Sequence, residues 1–264
     1  MNYKLVAIDM DGTLLNDQHK ISDKNKEVIY KLANRGVNFI LASGRSYQSL
    51  HPYTKELDVY LPLITANGAL IKSSLDDKVY YKCDISLDKA QEIIDYGIEH
   101  DYSLSLYYED EIKTIGKRLR EQILELEGIK SEVLGKNINL NREPIKIIYS
   151  SDPERIKKAE EFLINKYRDD LYITRSNDIY LEIMDLDVSK GNALNYMIEK
   201  MNISAQEVIA IGNNFNDIAM FDVAGLAVAM ENAPQKVKEK SDYVTKDNNQ
   251  DGVAVLLEDI FSIR

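Results

Sequence analysis

Largely apolar runs alternate with amphipathic helical segments at the beginning of the chain. The runs Leu5–Ile8, Val37–Ala42 and Leu61–Thr65 have the composition of strands that are buried on both faces. The first helical segment is preceded by Ser22, a suitable N-cap, and is followed by Gly36. A strand–helix–strand–helix–strand order requires right-handed crossovers. The sequence therefore predicts an α/β fold with a Rossmann-like parallel sheet.

A different pattern occupies the middle of the chain. Its strand segments, such as Tyr180–Ile183, alternate apolar and polar residues, as half-buried strands of an antiparallel sheet do. The first pattern then returns with the buried run Val208–Ile211. We therefore predict an α/β core domain built from residues 1–81 and 187–264, with an α+β cap domain inserted over residues 82–186.

Composition excludes several classes of function. The formal net charge of −11 argues against a protein that coats nucleic acid or an anionic membrane surface. Cys83 is the only cysteine, so no intramolecular disulfide can form. No apolar stretch approaches the roughly 18 residues that a membrane span needs, and the N-terminus does not resemble a signal peptide. We expect a cytoplasmic protein, either a monomer or a small homo-oligomer.

Two carboxylates, Asp9 and Asp11, lie where the first apolar run ends, and Gly12 follows them. A turn would explain Asp and Gly at this place, but two neighbouring acids repel each other unless a cation or a proton is shared between them. The carboxyl ends of parallel strands form the crevice where ligands bind. Two carboxylates there could hold Mg²⁺, and one of them could attack a phosphoryl group.

The segment Asp9–Leu15, DMDGTLL, resembles the first motif, DxDGTLL, of the haloacid dehalogenase (HAD) superfamily of phosphohydrolases. The resemblance implies that Asp9 is the nucleophile. It also implies that Asp11 is a general acid and base whose main-chain carbonyl touches Mg²⁺.

Two further segments resemble motifs of the same superfamily. Ser43, Gly44 and Arg45 follow the second apolar run; a helix cap with a turn glycine explains them, and so does the superfamily's second motif. That motif implies that the Ser43 hydroxyl binds the transferring phosphoryl group and that Gly44 and Arg45 line the substrate site. Lys190 begins a predicted helix, an unfavourable place for a cation, and matches the third-motif lysine that neutralises the nucleophile and the phosphate.

The segment Gly212–Met220, GNNFNDIAM, resembles the fourth motif, GDxxNDxxM, but Asn213 stands where the family usually has a metal-binding Asp. An Asn carbonyl oxygen can bind Mg²⁺ but contributes no charge. The resemblance implies that Asp217 lies beside the metal, binding it directly or through water, and that Asn216 orients the substrate or Asp217. Either the chain is an enzyme with weakened metal affinity, which we favour, or it keeps the fold with little turnover.

The order of the four motifs and the size and place of the insertion resemble the Cof-like subfamily, HAD type IIB. Asn67–Gly68 reads as an ordinary turn, although a similar NGA loop lies near the pocket in that subfamily. The resemblance implies a Mg²⁺-dependent phosphatase acting on small phosphorylated metabolites, namely sugar phosphates, nucleotides or phosphorylated cofactors. Two alternatives remain open: a protein that binds such a metabolite without turnover, and a mutase that transfers the phosphoryl group to another acceptor.

Overall fold

The computed structural model describes residues 3–59 and 61–263, without the side chains of Lys117, Arg118 and Leu126. The chain divides into two compact units. The core unit comprises Met1–Gly44, Leu50–Tyr81 and Ser189–Arg264. The inserted unit comprises Arg45–Ser49 and Lys82–Val188.

Both units contain strands and helices. The strands are β1 (Leu5–Asp9), β2 (Asn38–Ala42), β3 (Pro62–Thr65), β4 (Leu70–Ser73), β5 (Val79–Lys82), β6 (Ser103–Tyr107), β7 (Ile112–Ile115), β8 (Glu132–Leu134), β9 (Lys146–Ser150), β10 (Leu171–Asn177), β11 (Tyr180–Asp185), β12 (Val208–Gly212), β13 (Leu226–Ala229) and β14 (Tyr243–Val244). The helices are α1 (Asp23–Ala33), α2 (Tyr47–Leu57), α3 (Leu87–Glu99), α4 (Lys117–Glu127), α5 (Pro153–Tyr167), α6 (Lys190–Met201), α7 (Ile218–Phe221), α8 (Gln235–Lys238) and α9 (Gly252–Phe261).

The sheet of the core unit has the strand order β14-β13-β12-β1-β2-β3-β4-β5. Strand β1 is central and pairs in parallel with β12 on one side and with β2 on the other. All five residues of β1 are buried, as expected for a strand covered on both faces. The predicted α/β fold with a parallel core is confirmed. Because the strands from β14 to β3 run in one direction, their carboxyl ends lie along one edge of the sheet.

Two helices begin at residues whose side chains form N-cap hydrogen bonds. Ser22 caps α1, because its hydroxyl accepts a hydrogen bond of 3.1 Å from the main-chain N–H of Asn25. Asp152 caps α5 in the same way through the N–H of Arg155, and Pro153 occupies the first helical position. Among the described helices, none is long and apolar enough to span a bilayer.

The inserted unit contains a six-stranded sheet of order β10-β11-β9-β6-β7-β8, antiparallel except for the last pair. One face of the sheet presents apolar residues such as Leu104, Ile147 and Ile183, which pack with buried residues of α3 and α5. The opposite face is mixed. It carries apolar residues such as Ile148 and Met184, and Lys146 and Glu182 are buried there with 3.7 Å between Nζ and Oε2. The predicted alternation therefore separates an apolar sheet face from one that also carries polar and charged residues.

Candidate active site

Asp9 is the last residue of β1, and its side chain is only 8% exposed. The chain turns sharply after it, with the N–H of Leu14 donating to the Asp9 carbonyl at 3.3 Å. Gly12 has φ 76°, a left-handed conformation that suits glycine. A Cβ at Gly12 would lie 2.2 Å from Nδ2 of Asn213, so the glycine also permits the close approach of that side chain. The turn thus places the Asp9 carboxylate and the main-chain oxygen of Asp11 beside Asn213, which follows β12.

Lys190 lies between two buried carboxylates. It is the first residue of α6, which Ser189 caps by accepting from the N–H of Asn192 at 3.0 Å. Its Nζ is 2.6 Å from Oδ1 of Asp9 and 2.6 Å from Oδ1 of Asp217, and the side chain is 1% exposed. The two ion pairs offset the cost of a buried cation in the first turn of a helix.

Asp217 is fully buried and holds the turn that follows β12. Its Oδ2 accepts hydrogen bonds of 2.9 Å from the main-chain N–H groups of Asn213 and Asn214, while Oδ1 bonds Lys190. A Cβ at Gly212 would lie 2.5 Å from Cβ of Asp217, so only glycine allows this approach. Asp217 therefore positions Lys190 and the backbone, and its part in metal binding stays a prediction.

The three charged groups shift one another's ionisation. Burial, followed by the negative charge of Asp217, raises the pKa of Asp9 to about 7, against the lowering effect of Lys190. Burial lowers the pKa of the Lys190 ammonium, but the two carboxylates outweigh it and raise that pKa above its ordinary value. Lys190 is therefore a permanent cation at this site, while the free Asp9 carboxylate is poorly compensated by protein groups alone.

The side-chain amide of Asn213 faces the acid pair. Its terminal atom on that side lies 3.2 Å from Oδ2 of Asp9, 3.1 Å from the main-chain oxygen of Asp11 and 3.3 Å from Oγ1 of Thr13. If this atom is the oxygen, it accepts from the Thr13 hydroxyl and faces two other oxygens. If it is the nitrogen, its two hydrogens can be donated among these three oxygens.

The oxygen orientation fits a divalent cation. Within residues 3–59 and 61–263, no three or more His, Cys, Asp or Glu side chains cluster as a metal site. The set at the acid pair is instead mixed: a carboxylate of Asp9, the main-chain carbonyl of Asp11 and the amide oxygen of Asn213. Mg²⁺ accepts all three ligand types, and adjacent ligands in an octahedral site with bonds of about 2.1 Å lie about 3 Å apart. The spacing of 3.1–3.2 Å is close to that value.

Asp11 differs from Asp9 in its surroundings. Its side chain is 44% exposed, and Oδ1 lies 3.7 Å from Nδ1 of His19. A solvated carboxylate can exchange protons with water, whereas the buried Asp9 is held in one orientation by Lys190. The structure thus gives the two acids different environments, as the distinct roles predicted for them require.

Asn67 connects two of the predicted motifs. Ser43 is buried after β2, and its carbonyl accepts a hydrogen bond of 3.0 Å from the Asn67 N–H. The Asn67 Oδ1 accepts from Nδ2 of Asn216 at 3.0 Å and lies 2.9 Å from where a Cβ on Gly44 would be. The sequence indicated a turn here, and the resemblance to the Cof-like subfamily implied a loop near the pocket. Neither predicted the contacts of Asn67 with Ser43 and Asn216. Asn67 has φ 59°.

The core unit brings together most of the predicted side chains. Asp9, Asn213, Asp217 and Lys190 are linked by direct contacts, and Ser43 and Asn216 are both bonded to Asn67. Arg45 belongs to the inserted unit, where its guanidinium donates to Oγ of Ser49 at 3.4 Å. The substrate-binding roles of these residues stay predictions.

The chain that carries this site matches one protein family over nearly its whole length. The sequence profile of the haloacid dehalogenase-like hydrolases matches residues 6–257. The chain belongs to the HAD-like hydrolase family. The resemblance to the HAD superfamily inferred from the four motifs is confirmed.

Relatives within the HAD family align over nearly the full length. A putative phosphatase of Haemophilus influenzae is 34% identical over 262 residues, which cover 99% of each chain. The 5-amino-6-(5-phospho-D-ribitylamino)uracil phosphatase YcsE of Bacillus subtilis is 34% identical over 255 residues, which cover 96% of this chain and 94% of the relative. A solved HAD subclass IIB sugar phosphatase superimposes with a TM-score of 0.85 over 99% of this chain and 100% of its own. At 20% identity, this superposition shows that the two chains share a fold.

Proposed function

We propose that this protein is a Mg²⁺-dependent phosphatase that hydrolyses small phosphorylated metabolites through an aspartyl-phosphate on Asp9. The observation that carries the proposal is the environment of Asp9. Lys190 holds Oδ1, while Oδ2 lies 3.2 Å from the Asn213 amide, which is also 3.1 Å from the main-chain oxygen of Asp11. The HAD family and the relatives named as phosphatases support a phosphoric monoester hydrolase. The relative named for a phosphoribitylamino-uracil supports a small phosphorylated metabolite as the substrate class.

Charge is the first obstacle to this reaction, because a phosphate dianion must approach a carboxylate. Lys190 offsets part of the repulsion from a fixed position, since Asp217 and the helix cap at Ser189 hold it there. A bound Mg²⁺ would be held by Asp9, the Asp11 carbonyl and Asn213, with Asp217 acting through water, and would supply charge neutralisation and orientation of the phosphate. The hydroxyl of Ser43 and the amide of Asn216 would bind the phosphoryl oxygens and the substrate.

With this charge neutralised, the two acids and water carry out the bond changes. The Asp9 carboxylate attacks the phosphorus in line, the bond from phosphorus to the leaving oxygen breaks, and Asp11 gives its proton to the departing alkoxide. In the second step Asp11 accepts a proton from water, whose oxygen attacks the aspartyl-phosphate. Inorganic phosphate leaves and the Asp9 carboxylate is restored. The protein contributes mainly position and charge, as a loose phosphoryl-transfer transition state requires.

The proposal is tested with a generic aryl phosphate and Mg²⁺. Asp9→Asn should lower phosphate release by about a thousandfold or more, because an amide is not a nucleophile here. Far-ultraviolet circular dichroism should stay unchanged. The matched control is Asp178→Asn, which makes the same substitution at an exposed turn of the inserted unit and should keep full activity. Substantial turnover by Asp9→Asn would contradict the assignment of the nucleophile.

The neutral Asn213 favours one other candidate, a protein that binds a phosphorylated metabolite without turning it over. In that case no phosphate would be released above the blank, while inorganic phosphate or a sugar phosphate would still bind in calorimetry. The mutase alternative differs in its product, because the phosphate then appears on an isomer of the substrate. Phosphorus NMR of the reaction mixture distinguishes the isomer from free phosphate.

A further inference from the structure

The amide of Asn213 contacts two oxygens that carry negative charge or partial charge, one of Asp9 and one of Asp11. Oδ2 of Asp9 and the main-chain oxygen of Asp11 lie within 3.2 Å of the same amide atom. Lys190 bonds the other oxygen, Oδ1, and so does not compensate this side of the carboxylate. The Thr13 hydroxyl hydrogen-bonds the Asp9 carboxylate and lowers its pKa, but burial and the charge of Asp217 outweigh this effect. A further donor or a cation beside Oδ2 would therefore stabilise the carboxylate.

The two orientations of the amide answer this need in different ways. With nitrogen inward, the two N–H hydrogens of Asn213 have three acceptors within reach, namely Asp9 Oδ2, the Asp11 carbonyl and Thr13 Oγ1, at 3.1–3.3 Å. With oxygen toward them, it accepts only from the Thr13 hydroxyl and completes a set of oxygens for a cation. An aspartate at this position has only the second arrangement, since an ionised carboxylate has no hydrogen to donate.

We propose that the Asn213 amide is an internal substitute for the divalent cation. In metal-free protein its NH₂ group joins Asp9 Oδ2 to the Asp11 carbonyl, and it turns its oxygen inward when a cation binds. This inference rests on the proposed metal site beside the nucleophile. It assigns to Asn213 a positioning role that the usual aspartate lacks, namely to keep Asp9 oriented while the metal is absent.

The neighbouring contacts permit the turn of the amide. Thr13 can serve either orientation, because its hydroxyl can donate to the amide oxygen or accept from the amide nitrogen. Gly12 leaves room for the other end of the amide, since a Cβ there would lie 2.2 Å from Nδ2. The main chain of Asn213 stays fixed, because its N–H donates to the buried Asp217 at 2.9 Å. Only the side-chain torsion has to change.

The proposal has an energetic consequence for the stability of the protein. In metal-free protein the Asn213 amide bridges Asp9 Oδ2 and the main-chain oxygen of Asp11. The substitution Asn213→Asp removes this donor and places a negative carboxylate against the same two oxygens. The same added charge makes the variant bind Mg²⁺ more tightly, because ligand charge strengthens cation binding. The order of stability of the two proteins should therefore reverse between metal-free and Mg²⁺-saturated conditions.

Thermal unfolding of the full chain in EDTA and in excess MgCl₂ tests the proposal. In EDTA, Asn213→Asp should melt about 4 °C or more below the wild type, and Asn213→Ala should fall between them. In MgCl₂ the Asp variant should melt at or above the wild type. Asn141→Asp, at an exposed position of the inserted unit, is the matched control for the added charge and should follow the wild type in both buffers.

Direct binding of Mg²⁺ by calorimetry gives a second readout that does not depend on activity. Asn213→Asp should bind at least about tenfold more tightly than the wild type. If the Asp variant folds only with Mg²⁺ and unfolds when EDTA is added, the proposal is supported, provided that Asn213→Ala folds without metal. Equal melting of wild type and Asn213→Asp in EDTA would overturn it, and so would equal Mg²⁺ affinities.

These outcomes are distinguishable from failure of the proposed function. If Asp9→Asn keeps its phosphatase activity, the nucleophile is wrong, but the melting order in EDTA still reports on the amide bridge. If the melting order is not reversed while Asp9→Asn is inactive, the phosphatase stands and the role given to Asn213 falls.

Discussion

Lys190 is enclosed by Asp9 and Asp217 at 2.6 Å each, so one buried cation compensates two buried carboxylates. The environment of the nucleophile therefore depends on a lysine that is far away in sequence. Removing one partner from a buried ion pair typically costs about 3–5 kcal/mol, because the other charge is left uncompensated. We therefore expect the two ion pairs of Lys190 to be required for stability, and in the proposed mechanism for catalysis as well.

Lys190→Met should lower the free energy of unfolding in EDTA by about 3–5 kcal/mol, measured by urea denaturation. The double variant Lys190→Met/Asp217→Asn should recover part of this loss, because one unpaired carboxylate is gone, but it should stay inactive. A single variant as stable as the wild type would contradict the ion-pair account.

The decrease in the free energy of unfolding of Lys190→Met should also depend on pH. Asp9 already has a pKa of about 7, raised chiefly by burial, and Lys190 lowers it. A carboxyl whose folded pKa exceeds its unfolded value stabilises the fold below the unfolded pKa and loses this contribution as pH rises through the folded one. The deficit relative to the wild type should therefore be smaller at pH 5 than at pH 8.

Some residues of the site could be predicted from the sequence, and others could not. Asp9, Lys190 and Asp217 stand in short segments whose spacing and residue types are distinctive, so their grouping near one strand end was predicted. Asn67 was not, because its contacts with Ser43 and Asn216 join residues that are distant in the chain. Nothing in an Asn-Gly turn shows which distant backbone it will meet.

At the scale of elements, the site is assembled from loops that follow β1, β2, β3 and β12, together with the first turn of α6. The long buried strands and capped helices could be predicted, since each carries its own periodicity or cap. The short strands β7 and β8 could not, because four- and three-residue segments carry little pattern and their parallel pairing is set by tertiary packing. The hairpin partner β4 was missed for the same reason.

Asn67→Gly tests whether the loop after β3 positions the neighbouring loops. Glycine accepts the φ of 59° at this position but removes the oxygen that binds Asn216. We expect kcat/KM to fall about tenfold, in line with one lost hydrogen bond of about 1–1.5 kcal/mol, with little change in melting temperature. Asn67→Ala should in addition lower stability, because alanine is strained in the left-handed region. Unchanged kinetics in Asn67→Gly would remove the loop from the account.

At the scale of the whole molecule, an α/β unit that carries the acids is interrupted by a unit with its own sheet and core. The alternation of residues predicted such a second sheet, but substrate choice carries no motif. Lys146 and Glu182 form a buried ion pair on the second face of the sheet in the inserted unit, so that face carries charged side chains at defined positions. A screen of phosphorylated metabolites is the direct route to the physiological substrate.

The central claim of the proposed function is that Asp9 becomes phosphorylated during turnover. Rapid acid quenching of the wild type with a turning-over substrate and Mg²⁺, followed by peptic digestion and mass spectrometry, measures this directly. We predict a phosphoryl group on the peptide that contains Asp9, formed fast enough to account for phosphate release and absent from Asp9→Asn. Phosphate release without any phosphorylated peptide, or with the phosphoryl group on another residue, would contradict the account.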